Sequence, residues 1–61
     1  MLTKDKTILV VDDTKISRDI LKNLLALLGY KNVIVASNGK EAKEILLEKG
    51  NEIQLVLLDW T

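Results

Sequence analysis

Three short apolar runs punctuate this chain, and the two intervals between them carry a helical period. The first run, Thr7-Ile8-Leu9-Val10-Val11, discharges into Asp12 and Asp13, and the last, Leu55-Val56-Leu57-Leu58, discharges into Asp59. Neither alternates polar with apolar positions, so both suit strands covered on both faces, as in a parallel sheet. Between them Asn32-Val33-Ile34-Val35-Ala36 is rich in β-branched residues and reads as a further strand.

From Thr14 onward Ile16, Ile20, Leu24 and Leu27 share one helical face, with Leu21, Leu25 and Leu28 beside them. Together they cover nearly half the circumference, wider than the roughly 100° stripe that one packing partner requires. The extra width predicts that Leu25 or Leu28 faces something beyond the helix's own sheet. Gly29 suits the stop, because glycine takes positive φ without penalty. Ser37-Asn38-Gly39 is turn chemistry, and Asn38 with Glu41 three residues on fits a capping box in which Asn replaces the usual Ser or Thr. Ala42, Ile45 and Leu46 then make one apolar stripe, Lys40, Lys43, Glu44 and Glu48 lie mainly away from it, and Gly50 ends the helix. The expected order is β-α-β-α-β in one unit spanning 1–61, with strands at about 7–12, 32–36 and 53–58 and helices at about 14–28 and 39–49.

Strands alternating with helices imply parallel pairing through right-handed crossovers. Parallel neighbours set equivalent ends side by side. If the first and last runs are adjacent, Asp12, Asp13 and Asp59 gather at one edge, beyond the carboxyl ends of the strands, where open α/β sheets hold their ligands.

Composition narrows the chemistry. There is no Cys and no His among the 61 residues, which excludes disulfides, zinc sites of the usual kind, and thiol or imidazole catalysis. Nine Lys plus Arg balance nine Asp plus Glu, so there is no basic footprint for nucleic acid. No apolar run approaches the roughly 20 residues of a membrane span, and no signal-peptide core follows the polar start Met1-Leu2-Thr3-Lys4-Asp5-Lys6. The expectation is a cytoplasmic chain. A unit this small buries only about 60% of its unfolded surface, so it is marginal alone and ordinarily leans on a partner.

An Asp-Asp pair ahead of a helix reads, by itself, as a cap with favourable macrodipole charge. A trio is another matter, because like charges a few ångströms apart repel. Such a cluster is easiest to understand around a small hard cation, and Mg²⁺ takes carboxylates together with water and substrate phosphate. A carboxylate beside it can then attack a phosphoryl group.

The blocks Ile8-Leu9-Val10-Val11-Asp12-Asp13, Ala36-Ser37-Asn38-Gly39-Lys40-Glu41-Ala42 and Leu55-Val56-Leu57-Leu58-Asp59-Trp60, in that order and spacing, resemble the receiver domain of bacterial two-component response regulators. The resemblance implies an α/β fold, half of a flavodoxin-like doubly wound parallel sheet in strand order 2-1-3. It implies that Asp59 accepts a phosphoryl group from a phosphohistidine on a sensor histidine kinase, so that the chain is a phosphoacceptor in a phosphorelay and not an enzyme. Mg²⁺ would be held by Asp13 directly, by Asp12 largely through water, by Asp59, and by the backbone carbonyl of Thr61. Gly39 and Ala42 match small positions of the second-helix turn.

Receivers run to about twice this length. The family's phosphate-contacting Ser or Thr, its paired Lys and its aromatic switch residue have no counterpart here, and a chain-terminal carboxylate at Thr61 would add negative charge. The isolated chain is therefore expected to bind Mg²⁺ weakly or not at all and to be inactive. The alternative function is a self-assembling homodimeric module without chemistry. It would pair through the third strand, an apolar edge that shows no Lys, Pro or bulge.

Overall fold

The computed structural model describes residues 2–59 and, of Asp59, the backbone. Strand β1 (Thr7–Asp12) is followed by helix α1 (Lys15–Leu27), strand β2 (Val33–Ala36), helix α2 (Gly39–Lys49), one 3-10 turn (Gly50–Glu52) and strand β3 (Ile53–Asp59). The three strands form one parallel sheet in the order β2-β1-β3. This is the α/β arrangement the residues and the resemblance lead one to expect, half of a flavodoxin-like doubly wound sheet.

The core follows from the central position of β1, whose residues from Ile8 to Asp12 are all fully buried. Leu9 and Val11 join Ala36 and Ala42 in the buried cluster, with Ile34, Ile45, Ile53 and Val56 packed against it, so this is the face that α2 covers. Ile8 and Val10 point the other way by strand alternation, toward the face that α1 crosses as it packs on β1 and β2.

The end of α1 is built as its sequence predicts, and the start of α2 in part. Gly29 has a φ of 97°, its N–H donates to the Ala26 carbonyl at 3.0 Å, and the Tyr30 N–H reaches the Leu25 carbonyl at 3.0 Å. These two bonds are the Schellman pair that satisfies the last carbonyls of a helix. At the start of α2 the Asn38 side chain accepts the Glu41 N–H at 2.9 Å.

In four places the structure departs from expectation. On α1 it is Ile16, Ile20, Leu24 and Leu27 that turn outward, Leu27 being 84% exposed, while Leu21 and Leu25 are half-buried toward the sheet. Of the two residues offered as alternatives for facing beyond the sheet, Leu28 is exposed and Leu25 half-buried. With apolar residues over half the circumference, periodicity cannot say which half meets the sheet. Asn32 lies just before β2, where its side-chain amide donates to the Asp5 carbonyl at 2.6 Å and its own carbonyl accepts the Ile8 N–H at 2.9 Å. The capping box is not reciprocal, since the Glu41 carboxylate takes the Ser37 N–H at 2.7 Å, one residue ahead of the cap. Finally β3 carries an irregularity, because Thr7 is opposite Ile53 but Ile8 is opposite Leu55. The extra residue, Gln54, accepts the Thr3 N–H at 2.7 Å and donates to the Lys6 carbonyl at 3.1 Å, tying the N-terminal lead to the sheet.

Candidate functional site

The carboxyl edge of the sheet carries Asp12, Asp13 and the backbone of Asp59. Asp12 ends β1 and its Cα is the register partner of the Asp59 Cα at the end of β3. The pairing of two apolar runs of equal character therefore sets these two backbones side by side. Asp13 follows immediately, on the exposed loop leading into α1. The carboxylate of Asp59, and the whole of Trp60 and Thr61, lie outside the described residues. Among the described residues there is no group of three or more His, Cys, Asp or Glu able to hold a metal. Asp12 and Asp13 are the two carboxylates at this edge whose side chains are described.

Asp12 is unusual in its burial. It is completely enclosed, its Oδ1 accepts the Thr14 N–H at 2.9 Å, and its Oδ2 is buried with no hydrogen-bond partner among the described residues. Leaving a carboxylate oxygen buried and unpaired is costly, so such groups are ordinarily hydrogen-bonded, paired or metal-bound. The neighbouring Asp13 is solvent-exposed and its Oδ1 accepts the Thr14 hydroxyl at 3.2 Å.

This geometry answers the capping alternative. Thr14 stands at the N-cap of α1 in extended conformation, and no side chain caps the helix there. Asp12 is a strand residue whose carboxylate stops at the Thr14 amide, short of the helix's own first N–H groups. The pair thus shapes the β1–α1 loop without capping the helix.

Two features of the edge are not singled out by sequence reasoning. Arg18, the only arginine of the chain, sends Nη1 back to the Asp12 carbonyl at 2.9 Å from a half-buried position one turn into α1. Across β2, the residue after the strand is Ser37, whose hydroxyl donates to the Glu41 carboxylate at 2.6 Å. That hydroxyl, then the Ser37 N–H, lower the Glu41 pKa below its ordinary 4.5, and the charge of Arg18 adds to the effect. The solitary Arg, six residues beyond Asp12 in a chain otherwise using Lys, was the available signal. The opposite end of the sheet has a different character, with Lys6, Lys31 and Lys49 around an open cavity of about 590 Å³.

Comparison with known proteins identifies the family. The family model of the response regulator receiver domain matches residues 8–61. A chemotaxis protein CheY homolog of Campylobacter jejuni is 42% identical over 53 residues, covering 87% of this chain and 40% of the relative. The chemotaxis protein CheY1 of Helicobacter pylori is likewise 42% identical over 53 residues, with 42% of its length covered. The transcriptional regulatory protein YvrH of Bacillus subtilis is 36% identical over 56 residues, covering 92% of this chain and 23% of the relative. The chain thus spans less than half the length of these curated relatives. No solved structure matches it.

Proposed function

The chain belongs to the response regulator receiver domain family, and from that premise we propose that Asp59 is a phosphoacceptor whose Mg²⁺ is held at Asp12 and Asp13, with Asp59 and the Thr61 carbonyl completing the set. The observation that carries this reading is the orphaned Oδ2 of Asp12, buried at the strand end whose register partner is Asp59. A hard oxygen with no hydrogen-bond donor fits a hard divalent cation. When bound, the cation supplies charge neutralisation on the phosphoryl oxygens. The Asp59 oxygen attacks phosphorus, the P–N bond to the histidine of a sensor kinase breaks, and the imidazole leaves with the bonding electrons and takes up a proton. The chain's own residues supply the carboxylates and the strand ends that carry them. In the family a Ser or Thr and a Lys do the remaining charge stabilisation, and the resemblance assigns neither role to a residue of these 61. The 61-residue chain alone is accordingly a poor acceptor, since positioning and electrostatics provide most of phosphoryl-transfer catalysis. Incubation with acetyl phosphate and Mg²⁺, followed by intact mass, should show little or no phospho-Asp59. Full Mg²⁺-dependent modification would refute the inactivity, and loss of all Mg²⁺ binding would refute the site. Among the described residues no helix is long and apolar enough to cross a membrane. Membership of the receiver family supports a cytoplasmic location.

A second reading, a homodimeric module, is favoured by the surface. Neither helix packs broadly on β3, one of the two edges of the sheet, and Leu58, on the face that α2 covers, is 62% exposed, while α1 on the other face carries a separate outward row of Ile16, Ile20, Leu24 and Leu27. The accessible surface of 4407 Å² exceeds by about a tenth what a compact monomer of 6.9 kDa shows. A two-fold axis pairing β3 with its copy would bury that edge. Light scattering at micromolar concentration decides it, and a folded monomer would end the proposal.

A further inference from the structure

Arg18 stands where a cation is electrostatically useful and geometrically specific. It is half-buried on the inner side of α1, and its Nη1 holds the carbonyl of Asp12 at 2.9 Å. That carbonyl belongs to the peptide joining Asp12 to Asp13, so the contact fixes the plane from which the exposed Asp13 carboxylate projects. On the other side of the same peptide unit, the Asp12 carboxylate is held by the Thr14 N–H. Two bonds, one to a carbonyl and one to a carboxylate, thus clamp the two-residue loop between β1 and α1, whose backbone would otherwise keep more of its conformational freedom. The guanidinium also lies close enough to Glu41, at the start of α2, for its charge to be felt there.

We propose that Arg18 is a positioning residue: by gripping the Asp12 carbonyl it sets the Asp12–Asp13 segment so that both carboxylates turn toward one cation. This deepens the phosphoacceptor reading and rests on it. The inference makes a prediction whose sign separates it from a bare charge effect. A positive charge near a Mg²⁺ site repels the ion, so deleting it should tighten binding if charge were the whole role. Deleting a group that orients a metal ligand should weaken binding, by about tenfold at the low end for such groups.

The experiment titrates Mg²⁺ into the wild-type chain and into Arg18→Met and Arg18→Lys, with amide resonances and Trp60 fluorescence as readouts. Met keeps the aliphatic stem and its packing, whereas Lys restores a charged donor. Circular dichroism checks that each variant is folded, and amide exchange at Asp13 and Thr14 is followed without metal. The expected result is Mg²⁺ affinity about tenfold weaker in Arg18→Met, substantially recovered in Arg18→Lys, with faster exchange at Asp13 and Thr14 in the Met variant alone. Tighter or unchanged binding in a folded Arg18→Met, or unchanged exchange there, overturns the positioning role while leaving the acidic site standing. An Arg18→Met chain that fails to fold while Arg18→Lys folds and binds Mg²⁺ like wild type assigns Arg18 to stability and overturns the proposal. A wild-type chain that does not respond to millimolar Mg²⁺ overturns the site itself, and the Arg18 role with it.

Discussion

The Thr14 N–H donates to Oδ1 of Asp12 across 2.9 Å, and that bond commits Asp12 to the loop instead of the helix. Its second oxygen is left buried and unpartnered. Everything proposed for the edge of the sheet begins from that asymmetry within one carboxylate.

Replacing Asp12 by Asn keeps the acceptor for Thr14 and removes a buried charge. The metal-free chain should gain on the order of 1–2 kcal/mol, because an uncompensated buried charge is lost. The same variant should lose the Mg²⁺ response. In wild type, Mg²⁺ at ten times its Kd should raise stability by about 1.4 kcal/mol, an increment absent from Asp12→Asn. Urea unfolding with and without Mg²⁺ measures both, and a variant destabilised in the absence of metal would contradict the account.

Glu41 predicts the acid limb of the stability profile. Its folded pKa is lowered, chiefly by the Ser37 hydroxyl and then by the Ser37 N–H, from an ordinary value of 4.5. A depressed carboxylate contributes stability that is complete above the unfolded pKa and lost as pH falls through the folded one. Stability should therefore drop on acidification below that ordinary value, and Glu41→Gln should flatten this part of the curve. Denaturant midpoints of the two proteins from neutral to acid pH test it; parallel curves would count against the Ser37 contact.

Gly29→Ala should destabilise by roughly 1–2 kcal/mol, the cost of left-handed backbone for an L-residue. The backbone φ of 97° is the cause. Space is the lesser concern, since an added Cβ would meet the flexible Lys4 side chain at 3.1 Å. Gly29→Asn should cost less than Gly29→Ala, as Asn tolerates this conformation. Thermal unfolding of the pair checks the order.

Leu58→Lys separates association from folding. The side chain is already 62% exposed, so a monomer should tolerate the charge with a stability change of about 0.5 kcal/mol or less. If β3 pairs with its copy, two opposed lysines at the new interface should abolish the dimer. Sedimentation or light scattering reads the mass. A dimer that survives Leu58→Lys would move the interface away from this edge.

Much of the fold was legible because it depends on local and pairwise regularities. Apolar runs without alternation announced parallel strands, although only β1 is buried and Leu58 of β3 is exposed; Gly29 announced the end of α1, and Asn38 announced the start of α2, each through backbone chemistry acting within a few residues. The acidic edge was legible for a related reason: parallel strands bring like ends together, so Asp12 and Asp59 became neighbours in the register. What escaped were choices among locally equivalent options. Either half of the broad apolar surface of α1 would have satisfied its period, and only docking on β1 and β2 turned Leu21 and Leu25 inward and Ile16, Ile20, Leu24 and Leu27 out.

By itself, then, the sequence determined the order of elements, the parallel sheet and the placing of Asp12, Asp13 and the Asp59 backbone at one end of it, since these follow from periodicity, turn chemistry and chain connectivity. The tertiary structure alone decided that Asp12 is enclosed with one oxygen unsatisfied, that Arg18 reaches back to its carbonyl, and that Glu41 serves Ser37 in place of Asn38. Those outcomes depend on where side chains from different elements meet in three dimensions, and burial and hydrogen-bond distance are properties of that meeting; of the three, only the lone Arg six residues beyond Asp12 left a trace in the spacing of residues along the chain.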